Sequence, residues 1–271
     1  MNFIMNTHPN YPKRVFSDPA VYNINCPYYE DESVKKNEGI WADFSNITDT
    51  ELYERLIWKD NKLITLHEAK INFIHGKPVT PIKTGINGRG MLGKYGPNHA
   101  ADPIVTRINP RTQDIEFVAA KRLDTDQYCI PGGMVDPGEP RSLTLRREFE
   151  EEVASNCDKE VLDKVFANGK LLYAGPTYND PRTTDNAWIE TYVMHYHISD
   201  STARKLKLTP QLSENSKVKW ISCRHPNLYG DHAKYVHMAE QDVILNYIYR
   251  SLLNIVVITV VITLILMFYL S

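Results

Sequence analysis

Gly132-Gly133-Met134-Val135-Asp136-Pro137-Gly138-Glu139, then Pro140 to Arg146, then Arg147-Glu148-Phe149-Glu150-Glu151-Glu152-Val153-Ala154-Ser155, is the stretch that decides how this 271-residue chain is read. Its first part is a glycine- and proline-punctuated loop. Pro140 suits a helix start, where its missing N–H costs nothing, and Ser142 to Val153 then holds good helix formers with no breaker. At about 100° per residue, Glu148, Glu151 and Glu152 fall within about 100° of arc on one helix face. Leu145, Phe149 and Val153 form an adjacent apolar stripe that would dock on a sheet. Four acids within five residues repel one another by a few tenths of a kcal/mol per neighbouring pair, roughly. A divalent cation relieves that repulsion, and hard oxygen ligands on one side suit Mg²⁺, with Mn²⁺ not separated from it. On the cluster alone, a solvated acidic face is the better reading, being the usual fate of glutamate runs.

Strand-like runs surround this segment, at Ile104 to Arg107, Ile115 to Ala120 and Gln127 to Ile130, with later ones at Lys170 to Ala174, Ala187 to His197 and Lys217 to Ile221. Helical pattern returns from Asp231 to Tyr249. The texture changes near Asp102-Pro103, which sets a boundary between an N-terminal α+β region, residues 1–102, and a second unit, residues 103–250. In the first region, residues 1 to about 60 are rich in Pro, Tyr and Asn (Pro9, Pro12, Pro19, Pro27) and read as irregular chain. Thr48 with Glu51 is a capping-box pair opening a short helix through Leu52, Leu56 and Ile57, and Lys62 to Phe73 holds short strands. Gly88-x-Gly90-x-x-Gly93 matches the dinucleotide fingerprint by letter, but Gly96-Pro97 follows at once and no phosphate-binding helix can start there. The glycine-dense loop instead predicts a backbone turn that approaches something closely.

With 31 Lys+Arg against 33 Asp+Glu, the formal net charge is −2. No positive field marks the chain for nucleic acid. Hydrophobic residues at 42% and charged residues at 24% are ordinary globular composition, which argues against disorder. The four cysteines, Cys26, Cys129, Cys157 and Cys223, form no C-x-x-C pair and read as free thiols. The first ten residues lack a basic region followed by an apolar run, so no signal peptide is expected.

All of those charged residues precede position 251. Leu252 to Leu270 is apolar apart from Asn254, Thr259 and Thr263, and as a helix it would cover roughly 28 Å, close to the hydrocarbon thickness of a bilayer. Residues 251–271 are therefore expected to be a single-pass transmembrane anchor, inserted after synthesis with the body of the chain facing the cytosol.

Gly133-x5-Glu139-x7-Arg147-Glu148-Phe149-x-Glu151-Glu152 resembles the Nudix box at every chemical position. The resemblance implies an α/β fold, a Nudix α/β/α sandwich, and a loop–helix–loop holding metal against a diphosphate. It implies that the Gly133 carbonyl, Glu148 and Glu152 serve as metal ligands or base, that Glu151 assists through water, and that Glu139 pairs with Arg147. Ala154 and Ser155 replace the usual Gly and apolar residue at the end of the box. Outside it, Gly88 to Arg107, Asp180-Pro-Arg-Thr-Thr-Asp-Asn-Ala-Trp188, Lys217-Val-Lys-Trp220 and Leu228-Tyr229 are similar to the ADP-ribose pyrophosphatase branch, which includes the ADP-ribose-sensing module of melastatin-type channels. The likeness spans roughly residues 40 to 240. It implies that Asp180, Arg182, Tyr229 and His232 contact ADP-ribose, hydrolysed with Mg²⁺ to AMP and ribose 5-phosphate. Ser213-Glu214-Asn215-Ser216 stands where the branch has an acidic stretch, which weakens the case for a base from that loop. Two alternatives are a non-catalytic ADP-ribose-binding module, disfavoured because all box acids are kept, and a Nudix hydrolase of another nucleoside diphosphate derivative.

Overall fold

The computed structural model describes residues 8–15, 26–80, 83–177 and 179–270. Pro19, the first seven of the ten N-terminal residues read above for a leader, and Ser271 lie outside them. The N-terminal elements are β1 (Tyr28–Glu30), α1 (Glu32–Lys36), α2 (Asp49–Tyr53), β2 (Leu56–Lys59), β3 (Lys62–Thr65), β4 (Phe73–Ile74), β5 (Lys77–Pro78) and β6 (Asn87–Gly90). There follow β7 (Gly96–Ile108), β8 (Ile115–Arg122), β9 (Tyr128–Cys129), β10 (Gly133–Met134), α3 (Arg141–Val153) and α4 (Lys159–Val165). The chain ends with β11 (Lys170–Thr177), β12 (Ala187–His197), α5 (Asp200–Ala203), β13 (Asn215–Ser222) and α6 (His232–Leu270).

One mixed sheet organises these elements, in the order β11-β12-β7-β8-β13, with β10 paired to β7 and β9 to β8. β7 and β12 run parallel over eleven residue pairs, while the other pairings in this sheet are antiparallel. Alternation along the strands sorts the core into two layers. Val105, Val118 and Ala120 pack on one face with Phe149 and Val153 of α3 and with Val161, Leu162 and Val165 of α4. Ile104, Phe117 and Ala119 pack on the other with Tyr235, Val236 and Ala239 of α6. The result is the α/β/α sandwich expected.

The N-terminal region is more ordered than its composition predicts. Thr48 and Glu51 form the capping box, but the helix ends at Tyr53, so Leu56 and Ile57 belong to β2 rather than to the helix. The physical reason is the Asp60-Asn61 turn. Both residues adopt positive φ, the conformation that folds β2 back on β3 as a hairpin. The glycine-dense stretch likewise contains a strand, β6, parallel to β1, and continues into β7 rather than a helix. A Cβ on Gly88, whose φ is +91°, would lie 2.5 Å from the Tyr29 carbonyl oxygen, so these glycines let two backbones meet. The boundary expected at residue 102 falls inside β7. At the other end, the helix expected to stop at Tyr249 continues unbroken to Leu270 as part of α6.

Candidate active site

α3 carries the acids and β10 brings the backbone to them. β10 pairs with β7 so that Gly133 lies opposite Ala101. A Cβ on Gly133 would sit 2.5 Å from the Glu148 carboxylate, and one on Gly132 would sit 2.6 Å from both the Ala101 carbonyl and Asp102 Oδ1. At Gly132 the obstacle is backbone, so only glycine allows this approach, whereas at Gly133 a side chain would displace the Glu148 carboxylate. The Gly132 N–H donates to Glu152 Oε2 at 3.2 Å. The buried Leu145, Phe149 and Val153 hold α3 on the sheet and so turn Glu148 and Glu152 toward a cavity of about 510 Å³, within the usual size of small-molecule sites.

The other box residues stand outside this cavity. Arg147 donates from Nε and Nη2 to the two oxygens of Glu139, each at 3.0 Å, and Thr144 Oγ1 donates to Glu139 at 2.7 Å. Arg147 Nη1 also reaches Glu148 Oε1 at 2.8 Å and Glu151 Oε2 at 3.3 Å. Glu139, Arg147 and Glu151 are therefore a lock beside the site, with Glu151 exposed. The Arg147 guanidinium pulls the Glu139 carboxyl down to about 2.

Inside the cavity the opposite holds. Burial pushes Glu148 up to about 7 against the pull of Arg147, and the charges of Glu151 and Glu214 push the same way. Burial first and then repulsion from Glu148 push Glu152 up to about 8, with Gly132 N–H as a counterweight. Two buried acids whose neighbours' negative charges raise their affinity for protons are short of positive charge. Among the described residues, no group of three or more His, Cys, Asp and Glu side chains is arranged to hold a metal. What the chain offers is two carboxylates and the neighbouring Gly133 backbone. This oxygen donor set fits an ion that keeps several waters and also takes oxygens from its substrate, as Mg²⁺ does.

Asp180, Arg182, Tyr229 and His232 all line the same cavity. Arg182 is forked onto Asp180, Nε to Oδ1 at 2.9 Å and Nη2 to Oδ2 at 2.7 Å, and the Arg182 N–H adds a third bond at 2.9 Å. Tyr11 donates to the Arg182 carbonyl at 2.6 Å, so the N-terminal segment braces this loop. One face of the Tyr229 ring is covered by the Arg122 guanidinium, 4.4 Å from its centroid. His232 Nδ1 accepts from the Ile130 N–H at 2.8 Å, which leaves the proton of the neutral ring on Nε2. Burial lowers the His232 pKa and favours that neutral form.

Sequence reasoning missed Asp102, Arg122 and Asp124, which also line the cavity, and set too little weight on Glu214, which stands in its wall. Asp102 is buried, accepts a hydrogen bond from the Thr191 hydroxyl, and has its pKa raised by burial. In sequence, Asp102-Pro103 reads as a boundary signal, and Arg122 is one of many charged residues at a strand end. Glu214 alone had a positional hint, in its place before Lys217-Val-Lys-Trp220.

Comparison with known proteins agrees with this geometry. The NUDIX domain matches residues 97–240, which contain the sheet strands from β7 onward and α3. The putative nudix hydrolase 6 of Caenorhabditis elegans is 40% identical over 223 residues, covering 80% of this chain and 84% of that protein. The mitochondrial ADP-ribose pyrophosphatase of Rattus norvegicus is 37% identical over 227 residues, covering 74% of this chain and 64% of its own length. A transient receptor potential cation channel subfamily M member-like 2 of Nematostella vectensis is 42% identical over 141 residues, which is 45% of this chain and 9% of the channel. With the box intact on α3, and with a match that extends over most of the chain, the protein belongs to the Nudix hydrolase family.

Proposed function

We propose that this protein hydrolyses ADP-ribose to AMP and ribose 5-phosphate. The observation that carries the reading is one cavity with acids of raised pKa at Glu148 and Glu152, only the first of them touched by an arginine, and with hydrogen-bonding groups at Asp180, Arg182, Tyr229 and His232. A dinucleotide-like diphosphate has the matching layout, with charge in the middle and hydroxyls on either side. The 37% identity to a protein named for this activity supports the substrate.

In this reading Glu148, Glu152 and the Gly133 carbonyl hold Mg²⁺, which when bound neutralises the diphosphate and acidifies a water. A box glutamate takes a proton from the attacking water as the P–O bond of the diphosphate breaks. Arg147 and Glu139 keep α3 and the loop in register, and Glu151 acts from the rim through water. The Nε2–H of His232 donates to a ligand oxygen, and Tyr229, with Arg122 on one face of its ring, offers its hydroxyl as a hydrogen-bonding group.

The reading places the body in the cytosol, tethered by α6. That helix is long and apolar enough to cross a membrane, its side chains from Leu252 to Phe268 are exposed, and Tyr247, Tyr249 and Arg250 come just before the apolar run, where the headgroups would lie.

A turnover panel with Mg²⁺ across ADP-ribose, nucleotide sugars and reduced NAD tests the chemistry. ADP-ribose should have the highest kcat/KM. Binding of ADP-ribose without turnover, or faster hydrolysis of another member, overturns the proposal. Protease digestion of intact microsomes carrying the full chain tests the tether, and a protected body overturns the orientation.

A further inference from the structure

Two arginines line the cavity, Arg122 and Arg182, and each is forked onto an aspartate two residues away. The two forks differ in what releasing them would cost. Asp180 is 7% exposed in its side chain, and its carboxylate also holds the Arg182 N–H. Taking Arg182 away would strand a buried charge. Asp124 is 49% exposed, in the turn after β8, and water can solvate it as soon as Arg122 leaves. The Arg122 guanidinium, meanwhile, is held over the Tyr229 ring, 4.4 Å from its centroid, so it stays in the cavity wall when its partner changes.

We infer that Arg122 is a phosphate-binding residue of this site, which exchanges the Asp124 carboxylate for a phosphate oxygen pair of the substrate, while the Asp180–Arg182 pair stays closed and shapes the loop. A guanidinium fork matches phosphate and carboxylate equally well, so Asp124 acts as an internal stand-in for the ligand. Arg122 then supplies positive charge from β8, on a different element from the acids of α3. The inference rests on the diphosphate-hydrolase reading but not on which nucleoside diphosphate is used.

The consequence is a pair of substitutions with opposite signs. Arg122→Gln should weaken binding of inorganic pyrophosphate, measured by calorimetry on the full chain in detergent with Mg²⁺ present, by about tenfold or more, as expected for loss of a charge-assisted pair. Asp124→Asn should tighten it, because the competing carboxylate is gone. With the substrate the wild type turns over best, KM should move the same way in each variant, by more than kcat does. A merely structural Arg122–Asp124 pair would make both variants weaker, and that result overturns the inference, as does pyrophosphate affinity unchanged in Arg122→Gln. If ADP-ribose is the wrong substrate, the panel of wild-type activities shows it while the pyrophosphate response stands.

Discussion

Glutamates on the two sides of α3 have opposite fates. On one side Glu139 is met by both arms of Arg147 and by Thr144, and its carboxyl is held down at about 2. On the other, burial first, then the charges of neighbouring acids, push Glu148 up to about 7 and Glu152 up to about 8, although one arm of Arg147 still reaches Glu148. The residues are chemically alike and lie within fourteen positions of sequence. Charge compensation, not charge, therefore separates structure from chemistry here. A fully met acid fixes the loop on the helix, and buried acids met in part (Glu148) or by a backbone N–H alone (Glu152) create demand for a cation.

Glu152→Gln puts this contrast to its hardest trial. Turnover should fall by at least about 100-fold, the scale of a lost general base or metal ligand. Thermal stability should not fall, because an amide replaces an acid that resists ionisation in its site. A variant that keeps its turnover, or loses its fold, would remove the distinction. Arg147→Ala should do the reverse and act first on stability. It strips Glu139, Glu148 and Glu151 of their shared partner, and about 2 kcal/mol is the expected loss for charge-assisted bonds at a site this exposed. Denaturant unfolding measures it, and an unchanged midpoint would show that the lock is only decorative.

A smaller effect is the pH dependence of the metal-free protein. Glu139 is lowered relative to an ordinary carboxyl, so its stabilisation is present above about 4.5 and is lost as pH falls toward about 2. Glu148 and Glu152 are raised, so their contribution is present below about 4.5 and is lost as pH climbs through about 7 and about 8. Melting scans in chelator should therefore decline on both sides. Added Mg²⁺ should remove the alkaline decline alone, since it favours the ionised cavity acids; a decline unaffected by Mg²⁺ would argue against metal at these two residues.

Much of this is legible in the order of residues, for a local reason. The helix from Arg141 to Val153, its buried stripe and its acids follow from 3.6-residue periodicity, and β12 occupies the full run from Ala187 to His197 read from sequence. Leu56 and Ile57 read as helix because their apolar spacing fits a helix as well as a strand, and the Asp60-Asn61 turn outweighs the spacing. Asp102 is read as part of a boundary signal with Pro103, and Arg122 as one more charged residue at a strand end, so neither is read as lining a site. They acquire meaning only when β7 and β8 carry them to one cavity.

Local pattern alone is enough for the acidic helix, its apolar stripe, the spacing of the box and an apolar terminal helix, since fixed spacing and periodicity are properties of short segments, while the α/β/α class comes with the resemblance that the box carries. Which acids are satisfied is settled only by the packed fold. Whether Arg147 reaches Glu139, whether Glu214 adds its charge to the cavity, and whether Arg122 can trade one oxygen pair for another all depend on burial and on distances between elements far apart in the chain. Coulomb forces and desolvation act through space, and space is what folding supplies.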